Sequence, residues 1–589
     1  MARSAVGGDG AHLRYRVALA LLAAAMAPAA LSAQARAASS ARLRTSCEGD
    51  TVTVIDIRAH PPSVNGVAAE AWDATTQAAG LRHTSTRPAV IAAYLRVAEG
   101  RVCTDRDVAE SERLLRAQPF IASAAIRVER AATKHVRLQV DVVDELPLIV
   151  GGSVSGSTLT SLLLGTQNFD GRGLSAEVRL QRGKGYRPGY GARFVKYGFF
   201  GRPDFVAVAA ERAPLGESAS IEFAEPFLTD LQHRAAHAEL SEVSDYYGVV
   251  QPVGDDIALF TRRTAYDLGL VTRIARRSGR GAVGLVGAAL VGEDVRTGTR
   301  SVIVSDTGFV DVPGSDLGAR YAARAAVRVA AIGGLRILRF ITVQGFDAIS
   351  ARQDVGVGVQ FDLLAGPSLW TSRGASDLFV AGDLYAGAGD AQNFVSFRGL
   401  FEASGNRDTK RWDRVVASSR FSWYGRPSDR RTEIASLEMT ALGRLNFPVQ
   451  LTFRDADGGL RGFGAARYAG GQRLVARVEE RRFFPGITRR ADFAAALFAD
   501  AGQLWAGDVP FGASTSVHAS LGVSLLSAFP AGGKRTYRVD VGFPLNPERG
   551  GARWEVRFSS TDRTRLLWLE PDDVSRARTG AVPANLMKW

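Results

Sequence analysis

From about residue 149 to residue 563 the chain repeats one texture. Runs of roughly ten residues alternate apolar and polar, and Gly, Asp, Asn or Pro breaks each run. Alternation with a period of two puts one set of side chains on each face of a strand. Clear examples are 175–181, 205–210, 319–329, 378–385, 473–480, 536–543 and 553–559. One face carries Leu, Val, Phe and Ala, the other Arg, Glu, Gln and Ser, and no useful amphipathic helical run interrupts the series. A soluble sandwich would need a polar outer face, whereas these two faces suit lipid outside and a wet lumen inside. The pattern predicts a mainly β chain whose residues 149–563 form an antiparallel transmembrane β-barrel. At about 26 residues per strand and turn this makes about 16 strands, an even number as expected for a bacterial barrel.

A different texture precedes the barrel, over residues 51–147. Residues 51–58 are β-branched and strand-like. Residues 86–95 carry Pro88 near their start and Val90, Ile91, Tyr94 and Leu95 at helical spacing. Thr104 is a good N-cap, and the helix it opens runs through Val108, Leu114 and Leu115 to about Gln118. Then Ala124, Ile126 and Val128, followed by Val136, Leu138, Val140 and Val142, alternate with polar partners as a hairpin would. The order is strand, helix, helix, strand, strand. Residues 59–85 lengthen the first connection, with room for an extra helix around 67–76.

The start of the chain adds a compartment. Arg14 and Arg16 precede an apolar run over 17–33 that ends in small residues. This is the form of a secretory signal peptide over 1–35, with a membrane anchor as the alternative. No later stretch offers about 18 uninterrupted apolar residues, so a helical span is not expected. Cys47 and Cys103 are the 2 cysteines. An oxidising compartment allows them to bond if their Cα atoms come within about 7 Å, which the sequence leaves open. The tail, 564–589, holds Pro571, Pro583 and mixed charges and reads as loosely ordered. An even strand number places it on the same side as the N-terminal domain.

The net charge is +13, and all but six of the 73 basic residues are arginine. They are spread along alternating segments rather than gathered in one patch, which argues against a nucleic-acid partner. Arginine in a lumen or against anionic lipid headgroups fits better.

One loop stands out: Asp457-Gly458-Gly459-Leu460-Arg461-Gly462-Phe463. Glycines around an arginine let the backbone fold tightly and direct the guanidinium. In 473–481 alternation puts Arg473, Arg477, Glu479 and Arg481 on the face opposite Leu474, Ala476 and Val478. In 493–502, Phe493, Ala495 and Leu497 face lipid while Ala494, Ala496 and Asp500 face in. Inward carboxylates on neighbouring strands can jointly hold one arginine, whose planar fork suits such a clamp better than lysine.

These pieces resemble a known family. Leu460-Arg461-Gly462-Phe463 resembles the inward-folded loop motif of the BamA/TamA and two-partner-secretion superfamily, the bacterial surface antigen family. Val478-Glu479-Glu480-Arg481 resembles its following Glu-bearing strand. Phe498-Ala499-Asp500-Ala501-Gly502 resembles the Phe-x-Asp-x-Gly strand after that. Asn168-Phe169-Asp170-Gly171-Arg172-Gly173 and Phe223-Ala224-Glu225-Pro226-Phe227 match earlier turns and strand ends of the family, in order. Residues 51–147, with Ala98-Glu99-Gly100, the run 111–116 and Phe120, resemble a POTRA domain. The resemblance implies that Arg461 is anchored by Glu479 and Asp500.

No H-E-x-x-H, G-x-S-x-G, phosphate-loop or zinc-cysteine spacing occurs, and the 7 histidines are scattered. The expectation is therefore a non-enzymatic protein of the outer membrane, without cofactor, whose N-terminal domain lies in the periplasm. The resemblance implies that it assists insertion or assembly of outer-membrane proteins, or translocation of polypeptides. Secretion of one dedicated partner and a passive pore are the alternatives. Implied partners are outer-membrane lipid, unfolded outer-membrane or secreted polypeptides, and periplasmic accessory proteins. A single POTRA-like domain favours an auxiliary role over a central one.

Overall fold

The computed structural model describes residues 45–62, 84–562 and 570–582, together with Leu586. Within those limits residues 156–157, 183–187, 277–280, 306–307, 314–315, 373–376, 407, 489, 530, 549–550 and 581 are not described. The expected signal peptide over 1–35 and the extra helix around 67–76 lie outside the described residues.

The N-terminal domain has the order β1 (Thr51–His60), α1 (Pro88–Ala92), α2 (Asp105–Arg116), β2 (Ile121–Ala132) and β3 (His135–Asp144). β3 is central, parallel to β1 and antiparallel to β2. Alternation decides its core: Val136, Leu138, Val140 and Val142 all point beneath the helices and are fully buried with Leu114, Leu115 and Phe120. Thr104 caps α2 as its sequence position predicts, its Oγ1 accepting from the Asp107 N–H at 3.1 Å. A disulfide joins Cys47 to Cys103, with Cα atoms 5.6 Å apart, so the chain entering β1 is tied to the entry of α2.

Beyond Asp144 the chain forms a closed antiparallel barrel. Twenty long strands follow one another around the ring, from Leu148–Ser155 to Glu555–Asp562, and those two lie side by side where it closes. A three-residue strand, Phe309–Asp311, only flanks Val283–Val304. The expected count of about 16 is thus corrected to 20 among the described residues. The error has a plain cause: the assumed repeat was too long. Two residues join Arg411–Ser428 to Arg431–Gly443, and two join Phe205–Ala213 to Gly216–Glu225. Alternation reveals strands but carries no information on turn length.

The two faces sort as expected. On Ile257–Arg276, Leu268, Leu270 and Ile274 are exposed on the outside, whereas Asp267 on the opposite face is buried in the lumen. On Arg324–Val343, Arg328 and Arg336 are fully buried while Val329, Leu335 and Ile337 stand outward. Strand lengths are uneven. Val283–Val304 has 22 residues and the two closing strands have 8 each. About 9–11 tilted residues cross a bilayer. The wall is therefore low at its seam and tall opposite. Among the described residues, no helix is long and apolar enough to cross a membrane.

The N-terminal domain packs on the barrel rim where the chain enters. Arg116 forms a fork on Asp354 at 2.9 and 3.0 Å, Arg87 meets Asp170 at 2.6 Å, and the Lys534 N–H donates to Glu145 at 3.0 Å. Phe120 stacks obliquely on Tyr197, ring centroids 5.6 Å apart.

The segment after the barrel departs from the loosely ordered tail expected. Its α3 (Asp572–Ala577) lies within the barrel, with Val574 and Ala577 buried among lumen side chains.

Candidate functional site

The loop between Arg431–Gly443 and Gln472–Phe483 folds into the lumen. It pins itself with a two-residue ladder, Leu451–Thr452 against Ala469–Gly470, and a short turn at Asp455–Asp457. Phe453, Leu460 and Phe463 are buried together, and the Phe463 ring meets His518 edge-on with centroids 6.0 Å apart. Gly462 sits at φ +90°, and its missing Cβ would lie 3.0 Å from the backbone of Gly542. Conformation and space thus both require glycine where the loop touches the strand Arg535–Pro544.

The turn presents Arg461 to two strands at once. Its Nε and Nη2 donate to the two oxygens of Asp500 at 2.9 and 2.6 Å, and its backbone N–H adds a third bond to Asp500 at 3.0 Å. Nη1 donates to Glu479 at 2.5 Å. The guanidinium lies over the Phe498 ring, 3.8 Å from its centroid, so a cation–π contact closes the face that the carboxylates leave open. The Glu479 and Asp500 strands are antiparallel neighbours, with Glu479 opposite Phe498 and Asp500 opposite Arg477. That diagonal spacing lets one fork span both carboxylates.

Sequence reasoning named Arg461, Gly462, Phe463, Glu479 and Asp500, and the structure brings all five to one place. It missed the rest of the network. Arg538 places two bonds on Glu479 at 2.9 and 3.0 Å, and Arg481 adds one at 2.5 Å. Arg477 donates to the carbonyls of Gly458 and Gly459 at 2.7 and 2.8 Å, holding the loop's backbone. Phe498 and Arg538 were findable: Phe498 shares a face with Asp500 two residues on, and Arg538 shares one with Asp540. The side chain of Asp500 is 0% exposed and that of Arg461 is 12%. This is a dry ion pair rather than a hydrated one, so removing one partner belongs to the costly class of about 3–5 kcal/mol.

A second polar cluster lies in the wall. Glu222, His237 and Glu239 bring ligand atoms within 4.8 Å of one another. His237 bonds Asp267 at 2.6 Å and Glu222 at 3.2 Å, so both of its ring nitrogens are engaged with carboxylates in the geometry present.

No protein-family model matches the chain, and no curated protein matches it. Solved structures do. BamA from Haemophilus ducreyi, in a form lacking POTRA domains 1–3, matches at 12% identity over 87% of this chain and 85% of that one, TM-score 0.39. CdiB from Escherichia coli matches at 12% identity over 87% and 76%, TM-score 0.44. CdiB from Acinetobacter baumannii matches at 10% identity over 95% and 99%, TM-score 0.39. At such identities and scores, function has to be argued from the chain's own geometry.

Proposed function

We propose that this chain is a non-catalytic outer-membrane barrel that assists the insertion, assembly or passage of other polypeptides. The observation that carries the reading is the inward-folded loop clamped by Arg461 to Glu479 and Asp500, beside a strand-helix-helix-strand-strand domain docked on the rim. On this reading the outer apolar face meets lipid and the docked domain is POTRA-like and periplasmic. Among the described residues its strand β2 pairs only with β3, which leaves an edge to which an extended client can add a strand. The seam between the two eight-residue closing strands is the weakest stretch of wall. It is the natural place for the barrel to thin or open toward the bilayer.

Passage through the lumen is the second reading, and a specific feature favours it: the lumen already holds a stretch of polypeptide, residues 570–580. A reconstituted assay tests the first reading. Liposomes carrying the protein should insert an added unfolded outer-membrane protein faster than empty liposomes. Equal rates with correctly oriented protein would refute the insertion reading.

A further inference from the structure

The barrel encloses part of its own chain, and the way it does so describes a binding site. Asp573, fully buried, takes a fork from Arg473 at 2.5 and 3.1 Å. Five residues on, Glu402 receives Arg578 Nε at 2.5 Å and the backbone N–H of Thr579 at 2.8 Å. Arg263 donates to the carbonyls of Arg576 and Arg578 at 2.5 and 2.6 Å. Two of these three anchors address main-chain groups, so they would grip many sequences. Charge adds polarity: a basic socket at Arg473 and an acidic one at Glu402 read an acidic residue followed, five positions later, by a basic one.

The lumen is also apolar where this segment ends. Inward-facing Val283, Leu285, Ala289 and Ile332 form one buried cluster with Phe227 and Leu586, and the Phe227 N–H donates to the Leu586 carbonyl at 2.9 Å. Apolar wall in a wet lumen is unfavourable unless something covers it. Nothing makes the cover permanent. Among the described residues the segment adds no strand to the barrel, and a six-residue helix such as α3 does not hold itself together in water. Its order comes from docking alone.

We propose that the lumen is a peptide-binding track and that residues 570–580, with Val582 and Leu586, are its resident, displaceable ligand, a plug that a polypeptide of matching polarity replaces. The plug also braces the clamp loop. Arg473 donates at once to Asp573 and to the Thr452 carbonyl, the latter at 2.9 Å. Val574 packs in one cluster with Leu460 and Phe463. Displacing the segment therefore loosens the loop that carries Arg461. The track itself does not depend on the barrel's role toward clients. Only its opening to ions rests on the proposed bilayer location.

The test uses a variant lacking residues 570–589. In detergent, a labelled synthetic peptide of residues 570–589 should bind the variant and not the full chain, whose own segment competes at the millimolar effective concentration typical of short tethers. A peptide carrying Asp573→Lys and Arg578→Glu should bind at least tenfold more weakly. Equal binding of the two peptides, or none by the native one, would overturn the proposal. A lock in the full chain covers the case in which the deletion does not fold. A Cβ on Gly580 would lie 3.0 Å from that of Ala265, close to disulfide reach. Oxidised Ala265→Cys/Gly580→Cys protein in planar bilayers should show no opening events, and its reduced form should match reduced wild type. Openings at wild-type frequency in the oxidised lock would contradict a mobile plug. Failure of the liposome insertion assay would leave the peptide-binding result untouched.

Discussion

At the scale of single residues, Arg461 decides the most. It makes three side-chain bonds and one main-chain bond to two buried carboxylates, so truncation leaves Asp500 buried with little to compensate it. Arg461→Ala should lower the detergent unfolding temperature of the barrel, seen as a heat-dependent gel shift, with a loss of about 3–5 kcal/mol. Arg461→Lys should recover only part, since an ammonium cannot fork between Glu479 and Asp500. Glu548, in the turn after Arg535–Pro544, gives a pH signal. Burial pushes its carboxyl up to about 7, against bonds from the backbone N–H groups of Arg467 and Tyr468. A raised carboxyl pKa contributes stability that is complete below the unfolded value near 4.5 and is lost as pH rises through about 7. The contact between Glu548 and the clamp loop should therefore weaken as pH rises from about 4.5 to about 7, read as faster protease cleavage. Glu548→Gln should abolish that dependence; a variant as pH-sensitive as wild type would count against it.

At the scale of elements, the strands and the small domain were legible and their counts and contacts were not. Val136, Leu138, Val140 and Val142 announce β3 because a half-buried strand can have no other period. The stretch 319–329 shows the limit. Alternation alone extends the strand back to residue 319, but Leu317–Arg320 is a tight helical turn and the strand begins at Arg324. The clamp was legible because its three charged members sit in short motifs on consecutive segments. The pairing of Arg538 with Glu479 was not, since the two lie 59 residues apart and the local face-sharing with Asp540 does not point to that partner. The plug was hardest to see. Its prolines and mixed charges imitate disorder, and its anchors, Glu402 and Arg263, come from 176 and more than 300 residues earlier. The Cys47–Cys103 bond spans 56 residues, and closing such a loop removes about 4 kcal/mol of unfolded-chain entropy. Cys47→Ser should leave the barrel's unfolding temperature unchanged while residues 45–144 become protease-sensitive. Equal resistance of both forms would show that the docked rim contacts suffice without the bond.

At the scale of the whole molecule, the barrel is asymmetric in a way that fits the proposed work on other chains. Eight-residue strands meet at the seam where the small domain enters, and strands of 20 and 22 residues stand elsewhere in the ring. A passive pore needs neither a short seam, nor a loop tied into its lumen by a five-group charge network, nor a peptide in its channel. The measurement that tests this account most directly is depletion of the protein, followed by quantitative profiling of outer-membrane and secreted proteins, with complementation by wild type and by Arg461→Ala. The account predicts loss of outer-membrane proteins, or of a secreted polypeptide on the second reading, restored by wild type and not by Arg461→Ala. An unchanged protein profile accompanied by altered solute uptake would contradict it.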